Sequence, residues 1–139
     1  MSFLFPSDEW VAAYKDAINA NPAYKAAGAD WTHGVVALVI KAAPPALPND
    51  IGLWLDLDRG ACRDAKIVTL DEAMKAPFCI TGDYPRWKAV FRKELDPIKG
   101  MMQGKLKLKG DLPTIVRAVK ASQQLVETCG MVDTKFADE

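Results

Sequence analysis

The sequence contains a single histidine, His33, among 139 residues. Nucleophilic catalysis of the serine or cysteine type needs an imidazole held between a nucleophile and a carboxylate. Trp31 and Gly34 are what His33 has nearby in sequence, so a structural role beside a strand accounts for it. The three cysteines, Cys62, Cys79 and Cys129, are odd in number and show no C-x-x-C spacing. With one histidine to join them they make no zinc set, and they read as reduced, buried small hydrophobes. Eighteen basic residues cancel eighteen acidic ones, which leaves no global field to draw the chain to nucleic acid or to an anionic membrane. No stretch reaches the ~20 apolar residues of a membrane span. The first residues lack the charged and apolar regions of a secretory signal, and Ala137-Asp138-Glu139 is no peroxisomal address. The cytosol is therefore the expected compartment, and no metal or redox cofactor is expected.

Half of the residues are hydrophobic, enough for the core of one domain of this length. Ser7 caps an opening helix, with Asp8 and Glu9 in its first turn where the dipole favours them and Trp10, Ala13, Tyr14, Ala17 and Ile18 on one face. Asn21-Pro22 stops that helix and starts a shorter one, which Gly28 closes. Between Thr32 and Lys41, the run Val35 to Ile40 is apolar on both faces and predicts a central strand. After a proline-rich loop, Ile51, Leu53, Leu55 and Leu57 alternate with Gly52, Trp54, Asp56 and Asp58, and Asp58-Arg59-Gly60 turns the chain into a third strand near Arg63 to Thr69. These three strands make a meander. Leu70 to Ala76 has room for one helical turn, Phe78 to Gly82 forms a fourth strand, and a helix from about Asp83 carries Trp87, Val90 and Phe91 inward. Asp96-Pro97 opens a short helix through Met101 and Met102. Lys105, Lys107 and Lys109 then alternate with Leu106 and Leu108 in a strand bounded by Gly104 and Gly110. From Asp111 one long helix puts Leu112, Ile115, Val116, Val119, Ser122 and Val126 on a single stripe, and Val132 onward reads as a tail.

Three stretches invite a chemical reading and each has a simpler one. Gly100 to Lys105 is one residue short of G-x-x-x-x-G-K and leads into a strand, so it is no phosphate loop. Asp56 and Asp58 share a strand face that could hold a cation, but a polar face running into a turn accounts for them. The lysine ladder is a solvated strand face, with acyl-CoA or membrane contact as the minority reading.

The run from Ile80-Thr81-Gly82-Asp83 through Leu95-Asp96-Pro97 to Gln103-Gly104-Lys105-Leu106-Lys107 and Gly110 resembles the sterol carrier protein 2 (SCP2) family. Its most specific part is Asp96-Pro97 followed at fixed spacing by Gln103 to Lys107 and Gly110. The sequence departs from that family at Lys93-Glu94, where a Gly-Lys turn is expected. The resemblance implies an α+β fold: a five-stranded mixed sheet, made of the antiparallel meander, a crossover and two further strands, with helices over one face and an apolar cavity between. It also implies a tunnel for a fatty acid, acyl-CoA, sterol or phospholipid, and with no catalytic set in the sequence the expected role is a non-catalytic carrier, for which transient contact with a membrane surface is one expectation. On residue type alone Phe91, Met101 and Met102 are ordinary core; the resemblance turns them toward ligand. The lipid-binding candidates are Trp54, Trp87, Phe91, Met101, Met102, Gln103, Leu112, Ile115, Val116 and Val119. Gln103 would set an amide beside a headgroup, and helix periodicity would point Val116 and Val119 into the ligand space. The alternative is an accessory or dimerisation module for a lipid-modifying enzyme, with a cavity filled by its own side chains.

Overall fold

In the computed structural model, which describes residues 2–138, five strands form one sheet in the order β4-β3-β2-β5-β6. They are β2 (Val36–Lys41), β3 (Ile51–Asp58), β4 (Ala61–Val68), β5 (Phe78–Asp83) and β6 (Lys107–Lys109). The meander β2-β3-β4 is antiparallel; the chain then crosses back so that β5 lies parallel to β2, and β6 pairs antiparallel with β5. Arg59 and Gly60 both take positive φ, which closes β3 and β4 into a tight hairpin. A bulge between Asp56 and Leu57 follows, and this lets β4 begin at Ala61, earlier than its hydrophobic pattern suggested. At the bulge, the Asn19 side chain accepts from the Cys62 N–H at 2.8 Å and donates to the Cys62 carbonyl at 2.9 Å, so part of the edge strand is closed off.

Alternation decides the two faces of the sheet. Val36, Ile40, Leu53, Leu55, Leu57, Phe78 and Ile80 face the main core. Ala37, Val39, Val68 and Cys79 face the other way, onto the one-turn helix α3 (Leu70–Ala73), which Thr69 caps. The main helical layer consists of α1 (Asp8–Ala20), α2 (Pro22–Ala27), α4 (Tyr84–Phe91), α5 (Pro97–Met102), α6 (Leu112–Arg117) and α7 (Val119–Cys129). Ser7, Asn21, Asp83, Asp96 and Asp111 each accept a backbone N–H as the N-cap of α1, α2, α4, α5 and α6. The Gly82 of the family-like run is a packing requirement: a Cβ there would lie 2.5 Å from Leu106 Cδ2 and 3.1 Å from Trp87 Nε1. Leu106 is thereby buried between β5 and α5.

Three expectations are corrected. The lysine strand is shorter than its alternation, because the Lys105 and Leu106 N–H groups both turn back to the Gly100 carbonyl and pairing starts at Lys107. The final helix is two helices, broken at Ala118 (φ −93°, ψ 29°), and α7 starts without a side-chain cap. The segment after Val132 is no tail: β7 (Thr134–Phe136) runs parallel to β1 (Phe3–Phe5) in a second small sheet, with Val132 and Phe136 buried.

Where the sequence departs from a glycine turn, Lys93 occupies the left-handed region at φ 64°. That backbone costs a non-glycine residue roughly 1–2 kcal/mol, while its exposed ion pair to Glu127 at 2.9 Å returns little. Lys93→Gly should therefore raise stability by about 0.5 kcal/mol once glycine's unfolded-state entropy is set against the relieved strain. Urea denaturation checks this; a loss above ~1 kcal/mol would show that the ion pair outweighs the backbone.

Candidate lipid-binding cavity

The inward residues of the sheet and the helical layer do not close completely on each other. Between them lies a cavity of about 90 Å³, with Val36, Leu38, Leu55, Leu57 and Ile80 on the sheet side. Tyr14 of α1, Tyr24 of α2 and Trp31 wall one part of it. Trp87, Val90 and Phe91 of α4, with Pro97 and Met101 of α5, wall another. Ile115, Ala118, Ala121, Ser122, Leu125, Val126 and Cys129 complete the enclosure from α6 and α7. No lining side chain carries a formal charge at neutral pH. Trp87 is fixed in the wall by its indole N–H, which donates to the Val39 carbonyl at 2.8 Å, and Tyr14 by its hydroxyl, which donates to the Leu125 carbonyl at 2.9 Å.

Of the ten residues picked out in the sequence, Trp87, Phe91, Met101 and Ile115 line this cavity. Trp54 lies on the opposite sheet face, packed near Ala37 and Val39 with the Lys66 ammonium 5.9 Å from its ring centroid. Met102 is 66% exposed at the end of α5, and Gln103 is its exposed C-cap. Leu112, Val116 and Val119 stand 38–39% exposed on the outside of the lid. Within α6 it is Ile115 that is buried, and α7 starts afresh after the break at Ala118. The two helices present Ile115, Ala118, Ala121, Ser122 and Leu125 to the cavity. Ser122 and Val126 belong to the stripe read from the sequence, which Ala118, Ala121 and Leu125 widen, but neither they nor the strand residues opposite were picked out as lipid-binding. Their period-2 and helical patterns mark an inner face, but nothing local marks where that face stays uncovered.

Other sequence candidates resolve into ordinary contacts. Asp56 pairs with Arg63 at 3.0 Å and Asp58 with Arg59 at 3.3 Å, and no group of metal-ligating side chains forms among the described residues. His33 stacks edge-on against Trp31 with centroids 4.9 Å apart. Lys107 and Lys109 lie on the outer sheet face, where Lys109 Nζ donates to the Met74 carbonyl. A polar cleft of about 160 Å³ adjoins the cavity, sharing Pro97 and Val126 as its wall and spanned by the Lys93–Glu127 pair.

The thiols are unpaired and buried. Burial pushes Cys62 up to about 11 and Cys129, in the cavity wall, up to about 12, and it raises Cys79 as well. A thiol must lose its proton to react, so the folded protein at pH 8 should leave a thiol-reactive dye unconsumed while denatured protein consumes three equivalents. Rapid labelling of the native state would contradict this. The folded thiols hold protons more tightly than unfolded thiols near 9.0, so their contribution to stability is complete below pH 9 and is lost as pH rises toward about 12.

The SCP-2 sterol transfer family model matches residues 14–121. A crystal structure of sterol carrier protein 2 is 33% identical to the chain, covers 91% of it and 97% of its own length, and superposes with a TM-score of 0.80. The solution structure of a conserved hypothetical protein from Thermus thermophilus, whose description relates it to sterol carrier proteins, is also 33% identical, over 93% of this chain and 90% of that one, with a TM-score of 0.83. The apo form of sterol carrier protein 2 from Yarrowia lipolytica shares the fold, at 18% identity, 86% and 88% coverage and a TM-score of 0.55. No curated protein matches the chain.

Proposed function

Because the chain belongs to the SCP-2 sterol transfer family, we propose that it is a lipid carrier, holding the apolar part of its ligand between sheet and helices and releasing it chemically unchanged. The observation that carries this reading is the cavity wall: twenty residues from strands and helices, none of them ionised at neutral pH, around a space that the protein's own side chains leave empty. Such a lining offers a fatty chain removal from water, on the order of 10 kcal/mol for a C16 chain at ~0.8 kcal/mol per CH₂ before the costs of ordering it. Such a lining suits a role of enclosure, the lipid being held by burial of its apolar surface.

At about 90 Å³ the space is well below the roughly 300–1,000 Å³ of small-molecule sites. Binding a whole lipid therefore requires the helical layer to move outward. The lid formed by α6 and the start of α7 is the part suited to do so. Its two helices are short, α7 lacks a side-chain cap, and α6 is thinly packed on the rest of the fold. Its outer side carries Leu112, Val116 and Val119 beside Arg117 and Lys120, and Met102 is exposed at the end of α5. Apolar side chains with flanking cations suit a brief contact with a membrane surface, where a lipid is collected or delivered. Three unpaired thiols fit a reducing compartment such as the cytosol.

The small volume is also the observation that favours a second reading, an accessory or dimerisation module of a lipid-modifying enzyme whose cavity is filled by its own residues. Titrating delipidated protein with a fluorescent long-chain acyl probe separates the two. The carrier reading expects saturable binding with Kd near or below the micromolar range, about 8 kcal/mol. Absence of saturable binding, with sedimentation showing a stable dimer, would favour the module. Turnover of the probe that persists through repurification would instead make the protein an enzyme.

A further inference from the structure

Three tyrosines sit in or beside the main core, and two of them have satisfied hydroxyls. Tyr14 donates to the Leu125 carbonyl at 2.9 Å, and Tyr84 accepts from the Ala137 N–H at 2.9 Å. Tyr24 is different. It is 1% exposed, lines the cavity, and its hydroxyl has no hydrogen-bond partner among the described residues. No fully enclosed side-chain nitrogen or oxygen is left unpaired among the described residues, so Tyr24 Oη is not sealed off, and the residue is part of the cavity wall. The ring is held in place by a close approach: a Cβ at Gly28 would lie 3.0 Å from Tyr24 Cζ and 3.2 Å from Oη. Asn21 fixes the helix beneath it, capping Ala23 at 3.0 Å and donating to Thr128 of α7 at 3.0 Å. Burial lifts the Tyr24 pKa to about 12, and no hydrogen bond opposes the rise, so the group stays a neutral donor at every ordinary pH.

A phenol in this wall with no protein acceptor is free to donate to an oxygen that enters beside it. An ionised headgroup is a poor partner here, since the lining has no cation to neutralise it and the site is too apolar to hold a bare charge. An uncharged oxygen suffers no such penalty. We propose that Tyr24 is a polar contact of the cavity, its Oη–H donating to a neutral hydroxyl or carbonyl oxygen of the bound lipid. The proposal rests on the reading that a lipid occupies this cavity, and it adds a selectivity for neutral oxygenated lipids together with the residue that sets it.

The test is competition against a bound fluorescent acyl probe by hexadecan-1-ol, hexadecan-2-one and hexadecane, with wild type and Tyr24→Phe. Phenylalanine keeps the ring and removes only the unpaired hydroxyl, so the melting temperature should hold or rise. With wild type, the alcohol, the ketone or both should compete at least ~10-fold better than the alkane, about 1.4 kcal/mol; which of the two does so identifies hydroxyl or carbonyl as the recognised group. In Tyr24→Phe that advantage of the oxygenated competitor over the alkane should shrink to ~3-fold or less. An advantage that survives in Tyr24→Phe, or that is missing from wild type, overturns the Tyr24 assignment while probe binding still upholds the carrier reading. Failure of the probe itself to bind removes both. Should Tyr24→Phe not fold, ¹³Cζ-tyrosine NMR of wild type decides the matter: a Tyr24 shift on adding the best oxygenated competitor but not hexadecane supports the proposal, and equal responses overturn it.

Discussion

Ending the chain at Met131 should cost about 3–6 kcal/mol of folding stability, from loss of the buried Val132 and Phe136 side chains at ~1.5–3 kcal/mol each. The loss would reach beyond those two residues. Phe136 packs against Phe5 with ring centroids 6.0 Å apart, and Lys88 and Arg92 lie over its face. Phe5, wholly buried, touches Trp10 at 4.7 Å and Phe91 at 4.8 Å, and Phe91 is a wall of the cavity. Thr134 also accepts the Trp10 indole N–H at 2.8 Å. Removing β7 therefore unpairs β1, strips Trp10 of its acceptor and loosens the aromatic cluster behind the site. Urea titration should show a markedly lower midpoint for the truncated chain. A change within ~0.5 kcal/mol would mean that the segment is the dispensable tail its sequence suggests.

That segment illustrates what was not legible. A period-2 signal needs roughly four or more residues to declare a strand, and Thr134-Lys135-Phe136 offers three, paired with Phe3, Leu4 and Phe5 at the far end of the chain. The same limit hid the break at Ala118, which has no glycine or proline to announce it. By contrast the individual strands were legible, because each of the longer ones carries its own alternation or apolar run, and side-chain caps at Ser7, Asp96 and Asp111 mark helix starts; their assembly into one five-stranded mixed sheet was implied by the family resemblance. Of the site, Trp87, Phe91, Met101 and Ile115 could be read from inward periodicity and from the family-like run. Other lining residues, Tyr14, Val90, Ser122 and Val126 among them, could be read as inward but not told apart from filled core. A void is a mismatch between the volume enclosed by a backbone and the volume of the side chains sent into it. Ala118, Ala121 and Ser122 create it by being small, and small residues on a helix carry no signal that a space lies before them.

Ala121→Leu is the second large expected effect. Ala121 is buried in α7 with its side chain on the cavity, so added methylenes enter empty space instead of a packed core. Overpacking a filled interior typically costs 1–3 kcal/mol; here stability should be unchanged within ~0.5 kcal/mol or should rise, because the new side chain gains contacts and buried area. The same atoms stand where a chain would lie, so affinity for a fluorescent acyl probe should fall at least ~30-fold, about 2 kcal/mol. Val116→Phe makes the contrast. Its position on the outer side of the lid means that a larger side chain points to solvent and should change probe affinity by less than ~2-fold. Equal effects of the two substitutions would place the bound chain on the surface of the lid and not behind it.

The most direct measurement of whether a lipid lies between sheet and lid is isotope-filtered NMR of the labelled protein with a bound long-chain amphiphile. Cross-relaxation from the acyl chain to the methyl groups of Leu38, Leu55 and Ile80 on the sheet and of Ile115 on α6 across the cavity is the expected result. Contacts confined to the outward methyls of Leu112, Val116 and Val119, with none to the strand residues, would contradict enclosure and leave the chain a surface-binding domain.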